Sequence, residues 1–111
     1  MPYKFSRCIA MQNPAEKQIL EFYRDVIGLE VVEEGPDGIE LNADPYRLFL
    51  DGREPRELIM ELIVPDLGKA REELVAAGSQ VERWEGKGKC CYIRDPFGQL
   101  YNIWEDPDAF R

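Results

Sequence analysis

Phe22-Tyr23-Arg24-Asp25-Val26-Ile27-Gly28-Leu29-Glu30-Val31 is the stretch that decides the fold. An apolar helical face runs into a glycine, and a strand begins directly after it. Ile19, Phe22, Tyr23, Val26 and Ile27 recur at helical spacing and predict one apolar stripe. Gly28 suits the C-terminal cap, and Leu29 to Glu33 reads as a strand. Upstream, Asn13-Pro14 opens the helix: Asn can cap, Pro suits the first helical position, and Glu16 falls in the first turn. Before that, Lys4 to Met11 reads as a strand.

Working outward, Gly35-Pro36-Asp37-Gly38 is a turn signal between the Leu29–Glu33 strand and a short strand, Ile39 to Asn42. Ala43-Asp44-Pro45 leads into a strand from Tyr46 to Leu50. The polar stretch from Asp51 to Arg56 reads as a connector. The pattern then starts again. Glu57 to Val64 is a strand, and Asp66 is the cap of a second helix with an apolar stripe of Leu67, Ala70, Leu74 and Ala77. Gly78 ends that helix. Strands are expected over Gln80–Trp84, Lys89–Arg94 and Leu100–Trp104, with turns at Gly86-Lys87-Gly88 and Asp95-Pro96-Phe97-Gly98. The polar tail, 106–111, is expected to fray.

This is an internal repeat: Pro14 to Pro65 is 51 positions and Gly28 to Gly78 is 50. Neither half alone buries both its sheet face and its helix face. The expected class is therefore α+β, with two tandem β-α-β-β-β modules (1–52 and 56–105) in one domain, 1–111. They are expected to form a curved mixed sheet around a cleft.

Composition narrows the function. The 111 residues are 44% apolar, which argues against wholesale disorder. A net charge of -8 argues against gripping nucleic acid or an anionic membrane surface. No histidine is present, so the commonest metal ligand and general base is missing. Neither a signal-peptide run nor a membrane-spanning run is visible. Cys8, Cys90 and Cys91 make no paired framework and no CxxC, so a reduced cytoplasm is expected, with no role assigned to Cys90 or Cys91.

The paired β-α-β-β-β unit resembles the vicinal-oxygen-chelate superfamily, which includes glyoxalase I, bleomycin- and fosfomycin-resistance proteins and extradiol dioxygenases. Three segments carry the resemblance: Phe22 to Val31, Val64-Pro65-Asp66-Leu67 with Leu74 to Gly78, and Arg94-Asp95-Pro96-Phe97-Gly98-Gln99-Leu100. The superfamily's chemistry uses a divalent metal held by His, Gln or Glu on inward-facing strand positions. Carried over, those positions fall on Cys8, Ile59 and Asn102, with Asp51 at the end of the fourth strand. Ile59 cannot ligate, Asn102 is a weak neutral donor, and Cys8 is soft. The resemblance therefore implies a family fold without the family's metal, and no metal or other cofactor is expected.

Strand alternation places Ala10, Glu61, Ile63, Leu100 and Trp104 on the same faces as these positions. The opposite faces carry Ile9, Met11, Leu58, Met60, Leu62, Val64, Tyr101 and Ile103, the expected layer under the helices. Glu61 is a carboxylate inside an apolar strand, so it needs a partner such as Arg94 or Arg47, an open cleft or a raised pKa; the alternative reading is that it binds a cationic group or acts as an acid or base. Tyr92 and Trp104 are candidates for an aromatic lining. Phe97 stands where many superfamily members have a polar residue, and exposure there would mark a subunit or ligand contact. The pairs Glu33-Glu34 and Glu72-Glu73 read as solvated surface.

Cys8, Ala10, Ile59, Glu61, Tyr92, Asn102 and Trp104 are thus the candidate ligand-binding residues, with no catalytic residue assigned. The leading expectation is a metal-independent binder of a cationic or aromatic small molecule, acting as a homodimer, as drug-sequestering members of the superfamily do. The alternative is a metal-dependent glyoxalase-like lyase, isomerase or dioxygenase with altered ligands.

Overall fold

A computed structural model describes residues 3–36, 38–53 and 56–111. Asp37 of the first turn and Glu54-Pro55 of the connector lie outside the described residues, as do Met1 and Pro2. The chain divides into two units. The first is Arg7–Ile59; the second joins residues 3–6 to Met60–Arg111.

The elements run β1 (Lys4–Gln12), α1 (Glu16–Glu21), β2 (Glu30–Gly35), β3 (Gly38–Ala43) and β4 (Tyr46–Asp51), then β5 (Glu57–Val64), α2 (Leu67–Ala76), β6 (Gln80–Trp84), β7 (Cys91–Arg94) and β8 (Leu100–Glu105). The strand order is β2-β3-β4-β1 in one half and β5-β8-β7-β6 in the other, the same arrangement twice. In each, the first and last strands pair in parallel and the others antiparallel. The repeat extends to irregularities. The β2–β3 register slips after Val31 and the β6–β7 register slips after Val81, positions 50 apart. The fold is α+β with a mixed sheet, as the repeat predicts.

In the first unit Leu20 of α1 packs with Leu41, Leu48 and Leu50, flanked by Ile9, Met11 and Ile19. In the second, Leu67 and Ala70 of α2 pack with Val64, Cys91, Ile93 and Ile103. Each core therefore lies between one helix and one sheet face, as the spacing of apolar residues requires.

The two helices are built differently. Asp66 caps α2 by accepting from the Lys69 N–H at 2.9 Å. Glu105, at the end of β8, accepts from the Leu67 N–H at 2.9 Å and pairs with Lys87 at 2.8 Å. Lys87 first and the Leu67 N–H second hold the Glu105 carboxyl below its usual range. Asn13 instead makes a local turn, its Oδ1 accepting from the Ala15 N–H at 2.9 Å, and α1 starts without a side-chain cap. After Glu21 the chain continues as a π-helical segment, Phe22–Ile27, closed by Gly28 at φ 91°.

That segment corrects the predicted stripe. A π turn takes one more residue than an α turn, so the 3.6-residue spacing no longer points to one face. Phe22, Val26 and Ile27 are 52%, 70% and 54% exposed, and Leu20 holds the buried position. In α2 the stripe holds at Leu67, Ala70 and Leu74, while Ala77 is exposed at the C-cap.

Other expectations also change. β7 begins at Cys91, because Lys89 and Cys90 close the turn: the Lys89 N–H donates to Gly86 O and the Glu85 N–H to Cys90 O. The layer under the helices includes Leu62 and Val64, but Leu58 and Met60 are exposed. The tail does not fray. Pro107–Phe110 forms a 3₁₀ turn capped by Asp106. Lys4 lies 5.0 Å from the Phe110 ring centroid, and its Nζ donates to Ala109 O. Glu33 and Glu34 are exposed, but Glu73 accepts a hydrogen bond from the Tyr3 hydroxyl. No helix among the described residues is long and apolar enough to cross a membrane.

Two outcomes test these contacts. Burial, reinforced by the Glu73 carboxylate, pushes the Tyr3 phenol up to about 12. A raised folded-state value favours the neutral phenol in the fold. That stabilisation is complete below the ordinary value of 10.0 and is lost as pH rises through about 12. Tyr3→Phe should lower the unfolding free energy by about 1 kcal/mol at neutral pH in denaturant titrations and remove a phenol that ionises at about pH 12 from an ultraviolet titration. Gly38 has φ 143°, and a Cβ there would meet the Leu50 carbonyl oxygen at 2.6 Å. Gly38→Ala should therefore cost about 2 kcal/mol, measured the same way.

Candidate functional site

In the second unit the face of the sheet turned away from α2 carries a row of polar side chains. Glu61 of β5 is in register with Asn102 of β8, and Asn102 with Tyr92 of β7. Alternation puts them opposite Leu62, Ile93 and Ile103, which pack under α2. All three are partly buried. The Asn102 side chain is oriented by its own sheet, its Oδ1 accepting from the Cys91 N–H at 3.0 Å. One step along, Trp104 is in register with Ile63 and is 36% exposed. A carboxylate, an amide, a phenol and an indole thus share one face.

The arginines beside this row have identified partners. Arg94 grips Glu82 through two guanidinium nitrogens and donates to Gly98 O at 2.7 Å. Its hydrogen bonds hold the Glu82 carboxyl below its usual range. Arg83 pairs with Glu85. The turn after β7 is organised by Asp95, whose Oδ1 accepts from the N–H groups of Phe97 and Gln99 at 2.9 Å. It leaves the Phe97 side chain 93% exposed.

In the first unit Cys8 and Ala10 lie on the face turned away from α1, because Ile9 and Met11 pack beneath that helix. Cys8 is half-buried and is in register with Arg47; Ala10 is in register with Phe49. The Arg47 guanidinium lies 5.3 Å from the Phe49 ring centroid and makes two hydrogen bonds to Glu40, at 2.9 and 3.0 Å. These bonds keep the Glu40 carboxyl below its usual range. Ile59, also of this unit, is 2% exposed.

Within their strands Cys8 and Ala10 alternate with Ile9 and Met11, and Glu61, Tyr92 and Asn102 alternate with Leu62, Ile93 and Ile103, whereas Ile59 is buried. The sequence reading does not single out Glu40 or Phe49 and offers Arg47 only as a partner for Glu61, although the alternation of β4 and its pairing with β1 and β3 carry that signal. Arg47 makes two hydrogen bonds to Glu40, and Arg94 makes two to Glu82.

A family-type divalent metal does not fit this donor set. Ile59 has no donor atom, and the Asn102 oxygen is already engaged by a backbone N–H. Among the described residues no three His, Cys, Asp or Glu side chains are gathered where they could hold an ion. No disulfide joins the three cysteines, and the Cys91 Sγ donates to Gly86 O at 3.3 Å.

The sequence also gave no sign of a pocket of about 390 Å³ at the edge of α1. Met11, Ile19, Phe22 and Tyr23 form its apolar lining, and Gln18 and Arg56 bring polar groups. It forms because the end of β1, the helix and the residue before β5 converge there, which no local pattern reveals.

Comparison with known proteins agrees with this architecture. A family model described as a glyoxalase-like domain matches residues 8–104. None of the curated proteins matches the chain. Among solved structures, a glyoxalase/bleomycin resistance protein/dioxygenase superfamily member from Vibrio splendidus 12B01 is 17% identical. It aligns over 95% of this chain and 100% of its own, with a TM-score of 0.67. A hypothetical protein from Bacillus halodurans C-125 is 16% identical over 96% of both chains, with a TM-score of 0.65. An extradiol ring-cleaving dioxygenase from B. fuscum is 24% identical, with a TM-score of 0.59; the match covers 89% of this chain but 31% of the dioxygenase. At these identities the structural likeness speaks for the fold alone. With the family model spanning nearly all of both repeats, the chain belongs to the glyoxalase-like domain family.

Proposed function

We propose that this protein binds a small aromatic or cationic molecule without the help of a metal. One observation carries the reading: Glu61, Asn102 and Tyr92 occupy adjacent registers on the face turned away from α2, with the Trp104 indole one step on. A carboxylate attracts a cation, and an indole face binds cations and aromatic rings. An acidic chain, at -8, adds long-range attraction for a cationic ligand. The donor set favours metal independence, since the positions that hold metal in the superfamily carry an aliphatic side chain and an engaged amide. Residues on the face turned away from α1, Cys8 and Ala10 among them, are the remaining candidates for contact. Self-association as a homodimer belongs to the same reading, as does a reducing cytoplasm, in which the free thiols persist.

Calorimetric titration with phenyltrimethylammonium should give saturable binding. Glu61→Gln should weaken it about tenfold, since a charge-assisted contact is lost. Absence of any thermal stabilisation across a panel of cationic and aromatic compounds would remove the reading. Elemental analysis of protein purified without a tag should find substoichiometric metal. Stoichiometric zinc, nickel, manganese or iron would instead favour a metal-dependent lyase, isomerase or dioxygenase. Sedimentation at micromolar concentration should report a dimer; a monomer would count against the oligomeric part.

A further inference from the structure

We propose that the pocket at the edge of α1 is a second ligand site, one that takes a small amphipathic carboxylate. It is separate from the faces discussed above: Met11 lines it from the helix side of β1, whereas Cys8 and Ala10 face the other way. Its volume, about 390 Å³, lies in the small-molecule range. The walls are Met11, Ile19, Phe22 and Tyr23, so the bulk of an occupant must be apolar.

Charge sets the sign of the other end. Among the described residues Arg56 is the only charged one that lines the pocket. Six arginines, at 24, 47, 53, 83, 94 and 111, each pair with a carboxylate. Arg56 has no such partner among the described residues, in a chain where acidic residues outnumber basic ones 22 to 14. A planar guanidinium recognises a carboxylate through two parallel hydrogen bonds. The Gln18 amide, also in the lining, offers further N–H groups.

The backbone supports the same assignment. Phe22 and Tyr23 open the π-helical segment, and their N-terminal neighbours Gln18 and Ile19 belong to α1. The wider turn is what leaves Phe22 52% exposed instead of packed in the core. π-helical segments are rare and frequently occur at functional sites. An apolar tail laid against Phe22 would cover surface that is otherwise open to water.

Chemical-shift mapping of the labelled protein with octanoate tests the site, with octanamide as the uncharged match and inorganic phosphate as the anion without a tail. Octanoate should shift the Met11, Ile19, Phe22 and Tyr23 amides saturably, and phosphate should not. Arg56→Gln should weaken octanoate about tenfold and leave octanamide unchanged. Phe22→Ser should weaken both. Both side chains are exposed, so each variant should fold. No saturable octanoate shift, shifts centred on Tyr92 and Asn102, or equal weakening of both compounds by Arg56→Gln would overturn the proposal.

Discussion

Successive side chains on a β-strand point to opposite faces, and in each unit a single helix covers one of them. The rest of the structure depends on this constraint. Residues under the helix must be apolar and close-packed, because Leu41, Leu50, Ile93 and Ile103 have essentially no access to water. Residues on the other face are released from that demand. There the chain places Glu40, Arg47, Glu61, Asn102 and Tyr92, groups that would be costly beneath a helix. Chemistry is available on the uncovered face because the covered face supplies the stability.

Repetition gives two versions of the same solution, and their differences are informative. α2 is a regular helix with a capping aspartate and a glutamate reaching it from β8. α1 has no side-chain cap and changes to π-helical winding after one and a half turns. The well-capped helix keeps its predicted stripe at Leu67, Ala70 and Leu74. The other sends Phe22, Val26 and Ile27 toward solvent and leaves a pocket along its edge. A regular repeat unit keeps its helix packed on the core, whereas its irregular copy leaves apolar surface open to water.

Site chemistry follows from which atoms are already committed. An amide oxygen that accepts from a backbone N–H has one lone pair fewer for a metal, and an isoleucine has none at all. Paired arginines behave similarly: Arg47 with Glu40 and Arg94 with Glu82 are largely neutralised where they stand.

The sequence by itself determined the repeat, the element order, the Asp66 cap and the alternation of faces along most strands, with Leu58, Ile59 and Met60 of β5 as the exception. These are local or periodic properties, set by helix and strand geometry together with the placement of glycine, proline and aspartate. Only the tertiary structure decided the π winding, the ordered tail and the partners of the charges. Tyr3 meets Glu73 and Lys4 meets Ala109 across 70 and 105 positions, and no periodicity encodes contacts of that range. The pocket at α1 is partly of this kind: its walls lie close together in sequence, between Met11 and Tyr23, but Arg56 reaches them across more than thirty positions, and the winding that exposes Phe22 is not written in the residue spacing.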